Sequence, residues 1–118
     1  MTSEELKDRT KQVALDVVNL TSRIPHGREA DVLCRQFLRS ATSVGANYRS
    51  ACRARSKVDF INKIQVVEEE ADESLYWLEL ISKSQLADPK NLEPLVGEFT
   101  QLTAIFTASG RTAKYGKK

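Results

Sequence analysis

The densest stretch of reactive side chains is acidic: Glu68-Glu69-Glu70-Ala71-Asp72-Glu73. Helical bundles hold di-metal centres with carboxylates from several helices and inward-pointing Glu-x-x-His pairs. Here Glu70 is followed three residues later by Glu73, and no histidine lies on a predicted helix. Glu68 borders the predicted core stripe, while Glu69 and Glu73 project away from it. A solvated or salt-bridged acidic face is therefore preferred over a metal-dependent enzyme. The single histidine, His26, stands in a turn between Pro25 and Gly27. Together with Cys34 and Cys52 it falls short of a four-ligand zinc site in one chain. On one continuous helix the two cysteines lie about 27 Å apart, beyond the roughly 7 Å reach of a disulfide. The chain has no Gly-x-Ser-x-Gly elbow, no P-loop and no glycine-rich dinucleotide turn. These residues predict no catalytic site, no metal and no cofactor.

The arginines form the clearer pattern. With about 100° per residue and Arg35 as zero, Arg53 falls near 0°, Arg28 near +20°, Arg39 near +40° and Arg49 near −40°. Five arginines thus share a stripe about 80° wide, opposite the apolar face, along roughly 37 Å of helix. The planar guanidinium fork suits phosphate oxygens, and such contacts are sequence-tolerant and salt-sensitive. Two other readings stand beside it: a solvated face, or pairing with the acidic helix of a neighbouring copy. Aromatic residues do not alternate with these arginines, so the stripe is no base-stacking platform.

Four elements must position these residues. The 118 residues suffice for one core, with 41% hydrophobic and 29% charged side chains, a globular balance. The first helix, about residues 3–23, opens on a Thr2/Glu5 capping box. It carries the stripe Leu6, Val13, Val17, Leu20 and Ile24, and Pro25 and Gly27 end it. The second, about 28–54, buries Leu33, Phe37, Ala41, Val44, Tyr48 and Ala51. Gly45 inside it costs about 1 kcal/mol relative to alanine, which close approach of another helix would offset. The fourth, about 89–110, starts at Asp88-Pro89, carries Leu92, Leu95, Phe99, Leu102 and Phe106, and frays at Gly110. A basic tail, 111–118, follows. Short links make sequential helices antiparallel. The expected fold is all-α, an antiparallel up-down-up-down four-helix bundle forming a single domain, 1–118.

The third helix, about 57–84, is apolar on two sides. Phe60, Ile64, Val67, Ala71, Leu75 and Leu78 face the core. Val66, Trp77 and Leu80, with Ile81 beside them, form a second strip roughly opposite. That strip points to self-association, or to packing of Trp77 on a neighbouring helix or the loop near Pro89. Charge is also segregated. Residues 28–57 hold seven bases against two acids, residues 58–84 seven acids against two bases, and the whole chain is only +2. No uncharged run approaches a membrane span, so a cytoplasmic location without membrane contact is expected.

The stretch Gln36-Phe37-Leu38-Arg39-Ser40-Ala41-Thr42-Ser43-Val44-Gly45-Ala46-Asn47-Tyr48-Arg49-Ser50-Ala51 resembles the signature of a bacterial family. Asp59-Phe60-Ile61-Asn62-Lys63-Ile64 and Glu70-Ala71-Asp72-Glu73-Ser74-Leu75-Tyr76-Trp77-Leu78-Glu79-Leu80 do likewise. The family is that of the four-helix-bundle proteins encoded in intervening sequences of the large-subunit ribosomal RNA gene, the S23 ribosomal protein family. The resemblance covers nearly the whole chain. It implies a ring-like homopentamer without enzyme activity. It also brings in a distant relative, the accessory variability determinant of diversity-generating retroelements, a basic pentameric barrel that binds nucleic acid and a reverse transcriptase. This chain, only mildly basic, departs from that relative.

The resulting expectation is a non-enzymatic homopentamer that binds RNA or DNA through Arg28, Arg35, Arg39, Arg49 and Arg53. Its subunits would meet through Val66, Trp77, Leu80 and Ile81. The alternative is a protein–protein interaction scaffold with no nucleic-acid role. A reverse-transcriptase partner enters by distant analogy only.

Overall fold

The computed structural model describes residues 1–116; Lys117 and Lys118 of the expected basic tail lie outside the described residues. Helices α1 (Ser3–Ser22), α2 (Arg28–Cys52), α3 (Lys57–Lys83) and α4 (Pro89–Tyr115) form an all-α four-helix bundle measuring 47 × 23 × 20 Å. Each helix packs on its sequence neighbour, and α1 closes the bundle on α4 with the sparsest contact.

Local chemistry accounts for the helix starts. Thr2 accepts from the Glu5 amide, and the Glu5 side chain accepts from the Thr2 amide, a reciprocal box. Ser56 caps α3 by accepting from the Asp59 amide, and Asp88 caps α4 by accepting from the Lys90 amide, ahead of Pro89. At the end of α3, Gln85 adopts a left-handed φ of 60°. The Gln85 amide donates to the Ser82 carbonyl and the Leu86 amide to the Ile81 carbonyl, a Schellman stop without its usual glycine.

One helix end differs from expectation. The fourth helix runs through Gly110 to Tyr115 and ends at Gly116, whose φ is 77°. Gly110 lies four residues beyond Phe106 and so falls on the same apolar stripe. A Cβ there would lie 3.5 Å from the Ile64 side chain, so α3 covers this turn and holds it helical.

The core joins one stripe from every helix. Phe37 of α2 meets Phe99 of α4 edge-on with ring centroids 6.2 Å apart, and Tyr48 packs on Phe106 at 5.4 Å. Val17, Val44, Val67 and Leu102 fill the layers between them without exposure. Small residues draw the helices together. A Cβ on Gly45 would stand 3.2 Å from Thr10 Oγ1, so glycine lets α1 approach α2 more closely than an unshifted alanine would. Between α2 and α3 the buried hydroxyls of Ser40 and Ser74 are hydrogen-bonded at 2.9 Å.

This packing corrects the expected second strip of α3. Ile81 is fully buried in the chain's own core and offers nothing to a second subunit. It lies fourteen residues, nearly four turns, after Val67, about 40° from that residue and so beside the edge of the core stripe. Trp77 and Leu80 are half-buried, with Trp77 packed against the core's edge. Only Val66 is openly exposed, at 40%.

Candidate nucleic-acid interface

All five arginines of α2 are exposed, because the opposite face of that helix is consumed by Phe37, Ala41, Val44, Tyr48 and Ala51. Their surroundings divide them. Arg28, in the first turn, pairs with its neighbour Glu29 at 3.1 Å, with the guanidinium 91% exposed. Arg35 borders a hollow between the end of α1 and the start of α2, beside Val18, Cys34 and Leu38. Within it, Asp31 is held below the usual carboxylate range, first by its hydrogen bond with His26 and more weakly by the Gly27 amide and the Arg35 charge. Burial pushes the Cys34 thiol up, so it is a poor nucleophile.

Arg49 lines a groove shared with α1, whose charged lining is mixed: Lys7 and Lys11 with Glu4 and Asp8. Arg53 is the C-cap residue of α2, where a cation complements the helix dipole. Among the described residues Arg35, Arg49 and Arg53 form no ion pair.

Arg39 stands apart. Its guanidinium reaches α3, contacting Glu70 at 3.4 Å and forming a short hydrogen bond to Glu73. Glu73 raises the Arg39 pKa further above its already high value. The same Glu73 oxygen accepts from the Trp77 indole at 3.1 Å. Arg39 thus bridges α2 to α3 within one chain, and its charge is matched before any phosphate arrives. The other acids of the run disperse: Glu68 accepts from the Thr107 hydroxyl of α4 at 2.5 Å, and Glu69 faces solvent. Among the described residues no cluster of three or more histidine, cysteine, aspartate or glutamate side chains is placed to hold a metal ion.

Cations outside α2 adjoin the same end of the bundle. Arg55 follows in the α2–α3 link, Lys57 opens α3, and Arg111 and Lys114 stand on the last turns of α4. Sequence reasoning left the latter pair in a tail. The position of Gly110 on the apolar stripe was the signal that the helix continues.

The bundle is apolar inside and presents a row of exposed arginines along the outer face of α2 and its C-cap. The chain belongs to the 23S rRNA-intervening sequence protein family, whose profile matches residues 4–108. It is similar over 95% of its length, at 33% identity and a TM-score of 0.87, to the whole of a crystallised protein of unknown function from the S23 ribosomal protein family of Bacteroides thetaiotaomicron. Comparison with curated proteins returns no match. Among the described residues no helix is long and apolar enough to cross a membrane.

Proposed function

We propose that the protein is a non-enzymatic homo-oligomer, a pentamer, that binds RNA through the outer face of α2. The observation that carries this reading is the state of Arg35, Arg49 and Arg53: exposed, on α2 and its C-cap, and in no ion pair among the described residues. Arg28 extends the row at its start, whereas Arg39 serves the α2–α3 bridge. Repetition of the row in each subunit multiplies phosphate contacts, and every contact adds to the salt dependence. Val66, with the exposed edges of Trp77 and Leu80, is the surface on α3 assigned to subunit contact.

The test is RNA binding across a salt series, with light scattering alongside, for the parent and a variant carrying Arg28→Glu, Arg35→Glu, Arg49→Glu and Arg53→Glu. The expected outcome is salt-sensitive binding by the parent and at least a tenfold loss in the variant, with the oligomer mass retained. Equal binding by both proteins overturns the assignment. Loss of the oligomer in the variant instead makes the arginines a subunit interface, the reading of the protein as an interaction scaffold.

A further inference from the structure

The antiparallel topology brings the C-terminal turn of α2, the first turn of α3 and the last turns of α4 to one end of the bundle. Side-chain contacts set this register. Glu68 meets Thr107, Ile64 faces Gly110, and Ile61 lines a shallow hollow together with Arg111, Lys114 and Tyr115. Two stretches far apart in sequence thereby come to one end: Arg53 and Arg55 of the α2–α3 link with Lys57 at the start of α3, and Arg111 and Lys114 of α4. Among the described residues none of these five forms an ion pair. The acids that open α1 and α3 at this end are engaged: Glu4 pairs with Lys7, and Glu5 accepts from the Thr2 amide. Asp59 pairs with Lys63 at 3.2 Å and accepts from the Arg55 amide, while Glu68 holds the Thr107 hydroxyl.

Tyr115 lines the same hollow as Arg111 and Lys114, with Glu68 at its inner side, and is 74% exposed. An aromatic ring left in water beside unmatched cations has the chemistry of a single-strand nucleic-acid site. The ring stacks on a base, and the cations meet the flanking phosphates. The outer face of α2 lacks this element, since its aromatic residues Phe37 and Tyr48 are buried. A duplex hides its base faces in the stack and offers such a ring nothing to stack on.

We propose that this end of the bundle is a subsite for an unpaired base of single-stranded RNA, with Tyr115 as the stacking surface and Arg111 and Lys114 as phosphate contacts. This inference rests on the RNA-binding reading above and specifies which form of RNA is preferred.

The experiment measures fluorescence anisotropy of a labelled oligouridylate and of a labelled RNA duplex with the full chain, its Tyr115→Ala variant and its Tyr115→Phe variant. Stacking is worth roughly 1–3 kcal/mol per base. Tyr115→Ala is therefore expected to weaken oligouridylate binding about tenfold, to leave duplex binding within about twofold, and Tyr115→Phe to retain parent affinity for both. Unchanged oligouridylate binding by Tyr115→Ala overturns the subsite. So does an equal loss for oligouridylate and duplex, because that result reports charge or folding rather than stacking. If the α2 arginine variant loses RNA while Tyr115→Ala does not, only this subsite fails. If the parent binds neither RNA, the RNA-binding reading fails with it.

Discussion

Glu73 accepts two donors on one oxygen, the Arg39 guanidinium and the Trp77 indole. It thereby fixes two side chains whose types alone suggested functional surfaces. A guanidinium already matched by Glu70 and Glu73 must break those contacts before meeting a phosphate, whereas Arg35, Arg49 and Arg53 need not. Asp59 is a second local device. Its carboxylate is held below the ordinary value of 3.8, first by the Arg55 amide and then by Lys63. A depressed folded-state pKa contributes stability above the unfolded-state pKa, and that contribution is lost as pH falls through the folded-state pKa. Asp59→Asn is therefore expected to be less stable than the parent near neutrality. The difference should vanish in acid below the ordinary carboxylate range. Denaturation midpoints measured as a function of pH check this, and a pH-independent difference would contradict it. Because the side chain is still about a third exposed, at 32%, solvent screening keeps the effect small.

At the scale of the element, capping and small residues carry the explanation. Gly45 weakens α2 as an isolated helix, yet Thr10 of α1 occupies the space its side chain would need. Thr10 is buried, and its hydroxyl is bound to the Leu6 and Lys7 carbonyls, so it cannot move aside. Gly45→Val is expected to cost about 1–3 kcal/mol by overpacking, read from urea denaturation. A gain in stability would show the seam to be looser than the packing implies. The extension of α4 is likewise a matter of packing. Its last turns pack at Gly110 against Ile64, at a distance a Cβ would also fit, and Gly116 with its positive φ then ends the helix.

The whole molecule is a bundle with one lightly held edge. Helix α1 packs on α2 through the Gly45 seam but meets α4 least of all. There a bidentate clasp compensates: Arg9 donates to both Glu98 oxygens, at 2.9 and 2.6 Å, and to Gln101. Both partners are about three-quarters buried, with side-chain exposures of 24% and 27%. Removing the arginine leaves Glu98 without its charged donor, a loss of order 1.5–3 kcal/mol for charge-assisted bonds. Arg9→Met is accordingly expected to speed amide exchange in α1 before α2 and α3 are affected. Uniform acceleration across all four helices would instead mean that the bundle opens as a single unit.

Helix number, start points and most of the core were legible in the sequence. Capping at Thr2, Ser56 and Asp88 is a relation between residues three or fewer apart, and the 3.6-residue period is local. The stripe from Leu92 to Phe106 is buried at every position named from its spacing. The row of arginines was equally visible, since one helix determines which of its residues point away from the core. What the period does not encode is how far a neighbouring helix wraps around each flank. Tertiary packing alone placed Ile81 inside, drew Arg39 into a bridge with α3, and kept α4 helical past Gly110. It alone set Tyr115 beside Ile61. Each of these depends on contacts between residues some twenty or more positions apart in sequence, whose meeting is determined by helix pairing and register rather than by local propensity.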